Sequence, residues 1–175
     1  MGLGSSCSEC IAHAFKLSPN NPQVLNLLAN FYFYRGDYAR ARALCSKANE
    51  LTTAPGIQAE GLYQLARSYH AQGEWARAFN NYLAALQKDP HHLLAQFGAG
   101  QMYLQRNEFE NALKSLQQVY KHFPTNFDVI RTIAFAYQQS RQNAQAVAVL
   151  RKGVHIHSDR VEMWVEFGRV CEESD

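Results

Sequence analysis

The sequence predicts an all-α fold, a solenoid of antiparallel helix pairs. Repeat units begin at Ala59, Leu93, Phe127 and Val161, so this part of the chain repeats every 34 residues. Within each unit the apolar residues recur at helical spacing, which gives every predicted helix one apolar face. Small residues occupy the positions where paired helices come closest, and turn-forming residues separate the two helices of a pair.

The stretch from Ala59 to His92 shows the pattern most clearly. The residues that carry it are Leu62, Leu65, Ala66 and Tyr69 in the first helix, and Ala78, Tyr82, Ala85 and Pro90 in the second. Their spacing resembles that of the tetratricopeptide repeat (TPR). Gly73 and Glu74 stand at the turn between the helices, and Pro90 ends the second helix because it has no backbone N–H to donate. We therefore predict a TPR α-solenoid.

The first residues are interpreted as an incomplete repeat. Residues 1–5 are small and rich in Gly and Ser, and we expect them to be flexible. A helix is predicted from about Ser6 to Leu17, with Cys7, Ile11 and Ala14 on one face. This spacing matches the second helix of a repeat. We expect residues 6–21 to form a partial repeat within a single solenoid, 6–175.

Four full repeats follow, at 22–58, 59–92, 93–126 and 127–160, and a second partial repeat occupies 161–175. Asn21 is a good N-cap and Pro22 a good first helical residue. The first full repeat is longer than the others, and its segment Ala54-Pro55-Gly56 indicates either a longer loop or an extra helical turn. The last helix carries Trp164 and Phe167, so we expect the array to continue in a longer parent chain.

Composition limits the possible functions. The chain has 175 residues, a formal net charge of +2 and 47% apolar residues, so direct nucleic-acid binding is not expected. No apolar run is long enough to span a membrane, and the start has no signal-peptide pattern. The four cysteines suit a reducing compartment better than a disulfide scaffold.

No pattern in the sequence predicts catalysis. Cys7 and Cys10 have the spacing of a zinc or redox motif, but no second such pair accompanies them. No Gly-rich phosphate loop and no nucleophile motif occurs. Gly100 lies inside a predicted helix, where close packing of a second helix explains it. We therefore expect no catalytic residue, no metal, no cofactor and no small-molecule substrate.

Some residues resemble a particular family more closely than the generic repeat. The segments are Asn21–Phe33, Tyr63–Ser68 with Ala78, Phe79 and Tyr82, Phe97–Tyr103, Pro124 with Asn126, and Val161–Trp164. They resemble the large TPR scaffold subunit of the PAF complex, which is associated with RNA polymerase II. The resemblance implies a nuclear scaffold in transcription elongation and linked histone modification. The implied partners are the other PAF-complex subunits and the RNA polymerase II elongation machinery.

The first helix of each repeat is expected to line the concave groove of the solenoid. The predicted partner-binding residues are Asn26, Asn30, Phe33, Tyr63, Arg67, His70, Phe97, Gln101 and Arg131, with Leu104, Phe135 and Gln138 on the same face. Amides bind peptide backbones and aromatic rings anchor apolar side chains. Tyr63, Phe97 and Phe135 have an equal alternative, packing against the neighbouring repeat. We expect alanine at Asn30 and Arg67 to weaken binding with little effect on stability.

Other interpretations stay open. A TPR adaptor of another pathway, binding a peptide in its groove, fits the repeat pattern equally well, and a third possibility is a TPR arm of an enzyme. The carboxylate clamp of chaperone-binding TPR domains is disfavoured, because Asn26, Leu94 and Gly98 stand where cations are required. A basic cluster at Arg35, Arg40, Arg42 and Lys47 is more consistent with a solvated helix face than with a binding patch.

Overall fold

A computed structural model describes residues 3–173, with side chains from Ser8 onward. This part of the chain forms ten α helices and contains no strand. The helices are α1 (Leu3–Leu17), α2 (Pro22–Tyr34), α3 (Tyr38–Glu50), α4 (Pro55–Ala71), α5 (Trp75–Lys88), α6 (Leu93–Gln105), α7 (Phe109–His122), α8 (Phe127–Gln139), α9 (Asn143–Ile156) and α10 (Val161–Glu172). The predicted all-α class is confirmed. Within 3–173 no helix combines the length and apolar character that a membrane span requires.

Four helix pairs, α2/α3, α4/α5, α6/α7 and α8/α9, occupy the region of the four predicted full repeats. At the N-terminal end, α1 begins at Leu3, so residues 3–5 belong to a helix rather than to the flexible segment that we expected. The long interval before the second full repeat is an extra helical turn, because α4 begins at Pro55. Met1, Gly2 and the Cys7 side chain lie outside the described part of the structure.

Caps and turns explain where the helices begin and end. The Asn21 side chain accepts hydrogen bonds from the backbone N–H groups of Gln23 and Val24, at 2.9 and 3.3 Å. Gly36 and Gly73 take the left-handed conformation between paired helices, with φ of 77° and 75°. Asn107 and Arg141 take the same conformation at the equivalent turns of the next two pairs. Only the first two of these turns have the residue that this conformation favours.

The chain divides into two compact units, Met1–Ala95 and Gln96–Asp175. A core cluster of the first unit contains Ala29, Ala41, Cys45 and Leu65, with Tyr32, Phe33, Leu44 and Leu62 packed against it. These residues come from α2, α3 and α4. The single continuous solenoid over 6–175 stays a prediction.

The second unit has its own core, in which Leu116, Ile130, Ile133, Leu150 and Met163 are almost fully buried. On α10 the buried residues are Met163 and Val170, whereas Trp164 is 49% exposed. The Met163 sulfur lies 2.8 Å from the place that a Cβ on Gly153 would occupy. The glycine therefore allows α9 and α10 to pack closely.

Candidate partner-binding site

A cavity of about 450 Å³ lies between the first helices of two neighbouring pairs in the first unit. Its lining residues are Gln23, Asn26, Leu27, Asn30, Gly56, Ile57, Glu60 and Gln64. Two of them, Asn26 and Asn30, belong to the predicted set. We call this space the α2/α4 cavity. Glu60 is the only charged residue among its lining residues.

Asn26 links the two helices that form the α2/α4 cavity. Its side chain is 5% exposed, and its Nδ2 donates a hydrogen bond of 3.1 Å to the carbonyl of Ile57. This bond joins α2 to the extra turn at the start of α4. The Asn26 amide donor is thus engaged within the fold, which stabilises the cavity wall.

The Glu60 carboxylate has a donor on each oxygen. Gln64 Nε2 donates to Oε1 at 2.6 Å, and His92 Nε2 lies 3.2 Å from Oε2. The hydrogen bond from His92 lowers the pKa of the Glu60 carboxyl below its usual value, with a smaller contribution from Gln64, although burial opposes both. The carboxylate is therefore ionised at neutral pH, and its side chain remains 40% exposed.

Arg67 joins three other predicted residues in one cluster. Its guanidinium lies 3.9 Å from the ring centroid of Phe33 and 5.5 Å from that of Tyr63. It also donates a hydrogen bond to Asn30 Oδ1. The cation–π contacts and this hydrogen bond hold the Arg67 side chain, which is only partly exposed, against α2.

His70 lies apart from this cluster, against the second helix of its own pair. Its Nδ1 is 3.2 Å from the hydroxyl of Tyr82, and its ring centroid is 5.2 Å from a ring of Trp75. Burial lowers the pKa of the His70 imidazole. Tyr63 also contacts Tyr82, with ring centroids 6.3 Å apart. The side chains of His70 and Tyr63 therefore both make packing contacts within the first unit.

A second cavity, of about 410 Å³, lies in the second unit. Its lining residues are Phe97, Gln101, Asp128, Arg131, Thr132, Phe135, Gln138, Glu166 and Arg169. The structure thus brings together Phe97, Gln101 and Arg131, three of the residues predicted to bind a partner. Arg131 Nε and Nη2 donate to Glu166 Oε1 at 2.8 and 2.6 Å. This cavity carries both signs of charge.

Several lining residues were missed by the sequence reasoning. Glu60 and Asp128 each follow the first residue of a predicted repeat, and Gln64 and Thr132 lie four residues further on. Residues four apart share a helix face, so these positions extend the predicted face by one turn. The 34-residue period would have identified these four lining residues if the predicted face had included the polar residues near the start of each repeat.

The basic cluster is largely engaged within the fold. Arg35 lies 4.4 Å from the ring centroid of Phe31, and Arg40 forms a 3.3 Å ion pair with Asp37. Arg42 donates to Gln72. These contacts favour the interpretation of a solvated helix face over that of a binding patch.

Comparison with protein families identifies the repeat. Family models described as tetratricopeptide repeat match residues 10–43, 63–127 and 103–164. The chain is a tetratricopeptide-repeat protein. Solved structures of this fold include MamA 41-end from Desulfovibrio magneticus RS-1, with a TM-score of 0.76 and 18% identity over 88% of this chain and 85% of that one. Pseudomonas aeruginosa pilF has a TM-score of 0.73 and 19% identity over 87% and 68% of the two chains.

Curated proteins with similar tetratricopeptide repeats include two CTR9 proteins. RNA polymerase-associated protein CTR9 of Caenorhabditis elegans is 31% identical over 172 residues, which is 93% of this chain and 15% of the relative. Protein CTR9 homolog of Arabidopsis thaliana is 29% identical over 166 residues, again 93% and 15%. The chain thus spans about 15% of the length of these relatives. The predicted resemblance to the PAF-complex TPR subunit is confirmed.

Proposed function

We propose that this chain is a segment of a non-catalytic scaffold subunit of the PAF complex. It would act in the nucleus, in RNA polymerase II transcription elongation and the linked histone modification. Its partners would be the other PAF-complex subunits and the elongation machinery. The observation that supports this proposal is the similarity to two CTR9 proteins over 93% of the chain.

The two cavities suit a scaffold because their lining groups are of the kinds that recognise peptides. Amides line the α2/α4 cavity, and aromatic rings together with an Arg131–Glu166 ion pair line the second. Amide groups recognise a peptide backbone, and exposed rings such as Phe135 anchor apolar side chains. We propose that the predicted residues Asn30 and Gln101 act at these surfaces, and that Arg67 acts through Asn30, to which it donates a hydrogen bond.

Purification from the source organism tests this function. The gene is tagged at its own locus, the protein is purified from nuclear extract, and the co-purifying proteins are cross-linked and identified by mass spectrometry. We expect PAF-complex subunits and polymerase II elongation factors, with cross-links near the two cavities. Recovery of chaperones or transport factors in their place would contradict the proposal and favour an adaptor of another pathway.

A further inference from the structure

We propose that the α2/α4 cavity binds a basic side chain, lysine or arginine, of a partner segment. This inference rests on the partner-binding role proposed above and names the chemistry of the partner. It follows from the charge of the cavity, the orientation of its amides and its apolar walls.

The lining of the cavity is negative because Glu60 is its only charged residue. His92 Nδ1 accepts a hydrogen bond of 3.2 Å from the backbone N–H of Ala95. His92 Nε2 lies 3.2 Å from Glu60 Oε2, so both ring nitrogens of His92 are engaged within the fold. The pKa of the Glu60 carboxyl lies below its usual value, so the group that lines the cavity is an ionised carboxylate.

Arg67, the arginine that affects the pKa of Glu60, is already engaged by other residues of the fold. Arg67 is not among the lining residues, and its guanidinium is stacked on Phe33 and hydrogen-bonded to Asn30. It lowers the pKa of Glu60 only as a minor contribution. An ionised carboxylate that lines a cavity without a cation of its own attracts a cationic group from outside.

The remaining walls fit a basic side chain as well. Gln64 donates to Glu60 through Nε2, which leaves its Oε1 as a hydrogen-bond acceptor beside the carboxylate. Leu27 and Ile57 provide apolar surface for the methylene stem of lysine or arginine. An acidic side chain would meet the like charge of Glu60 and no cation among the lining residues. The second cavity differs, because it contains Arg131 and Arg169.

The test uses a matched pair of peptides and the whole chain. The ¹⁵N-labelled protein is titrated with a pentapeptide that has arginine at its centre and glycine elsewhere, and then with the same peptide carrying citrulline, which has nearly the shape of arginine but no charge. We expect saturable shifts at the residues lining the α2/α4 cavity, with an affinity for the citrulline peptide at least tenfold weaker. Equal affinity for the two peptides would overturn the proposal.

Variants assign the effect to one carboxylate. Glu60→Gln keeps the shape of the side chain and should abolish the preference for arginine, whereas the matched control Glu110→Gln, at an exposed position of α7 that lines neither cavity, should retain it. Leu27→Lys places a competing cation at the rim, where Leu27 is 47% exposed, and should block arginine binding without disturbing the core. An unchanged preference in a folded Glu60→Gln or Leu27→Lys protein would overturn the proposal.

The peptide titration tests this inference independently of the purification experiment. An arginine preference that depends on Glu60 supports the cavity chemistry even if the co-purifying proteins do not belong to the PAF complex. Conversely, recovery of PAF-complex subunits together with equal binding of both peptides would support the scaffold and overturn this inference.

Discussion

Gly100 on α6 and Leu116 on α7 meet through the bare Cα of the glycine. A Cβ added to Gly100 would lie 2.8 Å from both Cγ and Cδ2 of Leu116, closer than real Cβ contacts come. Both residues are buried, and Leu116 is 0% exposed. The two helices therefore approach more closely than any other residue at position 100 would allow.

Gly100→Ala should destabilise the protein. Overpacking of a core costs about 1–3 kcal/mol, and this exceeds the gain in helix propensity of about 1 kcal/mol when alanine replaces glycine. Urea denaturation measures the difference. Gly168→Ala is the matched control, because Gly168 is also helical but a Cβ added there would have no atom within 4 Å. Equal changes in the free energy of unfolding for the two substitutions would show that the contact with Leu116 does not destabilise Gly100→Ala.

The Cys45 thiol should be unreactive in the folded protein. Cys45 is 0% exposed, and burial raises the pKa of its thiol to about 12. The thiolate is the reactive form, so both access and ionisation are suppressed. We expect a thiol reagent at pH 8 to modify the exposed Cys10 rapidly and Cys45 only after denaturation, with peptide mass spectrometry reporting each site. Rapid labelling of Cys45 in the native protein would contradict this packing.

Cys45 should also make stability depend on alkaline pH. The unfolded thiol ionises near its ordinary pKa of 9.0, whereas the folded thiol stays protonated until about 12. The contribution is therefore complete below pH 9 and is lost as pH rises toward 12. At pH 10.5 the loss is about 2 kcal/mol, from about 1.4 kcal/mol per pH unit. Between pH 8 and 10.5 the urea midpoint of Cys45→Ala should fall less steeply than that of the unsubstituted protein. Parallel declines in the two proteins would refute the assignment of this pH dependence to Cys45.

Arg67→Ala should reduce stability as well as any binding, which revises the expectation from the sequence. Losing the Phe33 stack and the Asn30 hydrogen bond should cost about 1–2 kcal/mol. Arg131→Ala should cost about 0–1 kcal/mol, because the Arg131 side chain is 42% exposed in its ion pair. Thermal and urea unfolding of both variants measure these two losses of stability. A smaller effect at Arg67 than at Arg131 would contradict the packing described above.

Arg141→Gly should stabilise the turn between α8 and α9. Arg141 has a φ of 59°, a left-handed conformation that costs a residue with a side chain about 1–2 kcal/mol. Glycine removes this strain but raises the entropy of the unfolded chain, so the expected gain is about 0.5–1 kcal/mol. Arg151→Gly, in the middle of α9, is the control and should destabilise. A loss of stability in Arg141→Gly would contradict the prediction.

The helices were predictable because their signals are local. α6 and α8 begin at Leu93 and Phe127, the predicted repeat starts, and Asn21 caps α2 as expected. Apolar spacing, small residues at close approaches and turn residues all act within one pair of helices. These local signals did not predict the extra turn of α4, because Ala54-Pro55-Gly56 is compatible with either a loop or a helix start.

The sequence by itself therefore determined the repeat, the helices and the face that carries the polar residues. Only the tertiary structure decided which of those side chains meet, such as Glu60 with His92 and Arg131 with Glu166. Glu60 and His92 are 32 residues apart, at opposite ends of one predicted repeat, whereas Arg131 and Glu166 are 35 residues apart in consecutive repeats. The period places such residues near one another, but side-chain length, burial and competing partners determine the pairing. The charge of the α2/α4 cavity depends on those pairings, and the repeat pattern alone does not predict it.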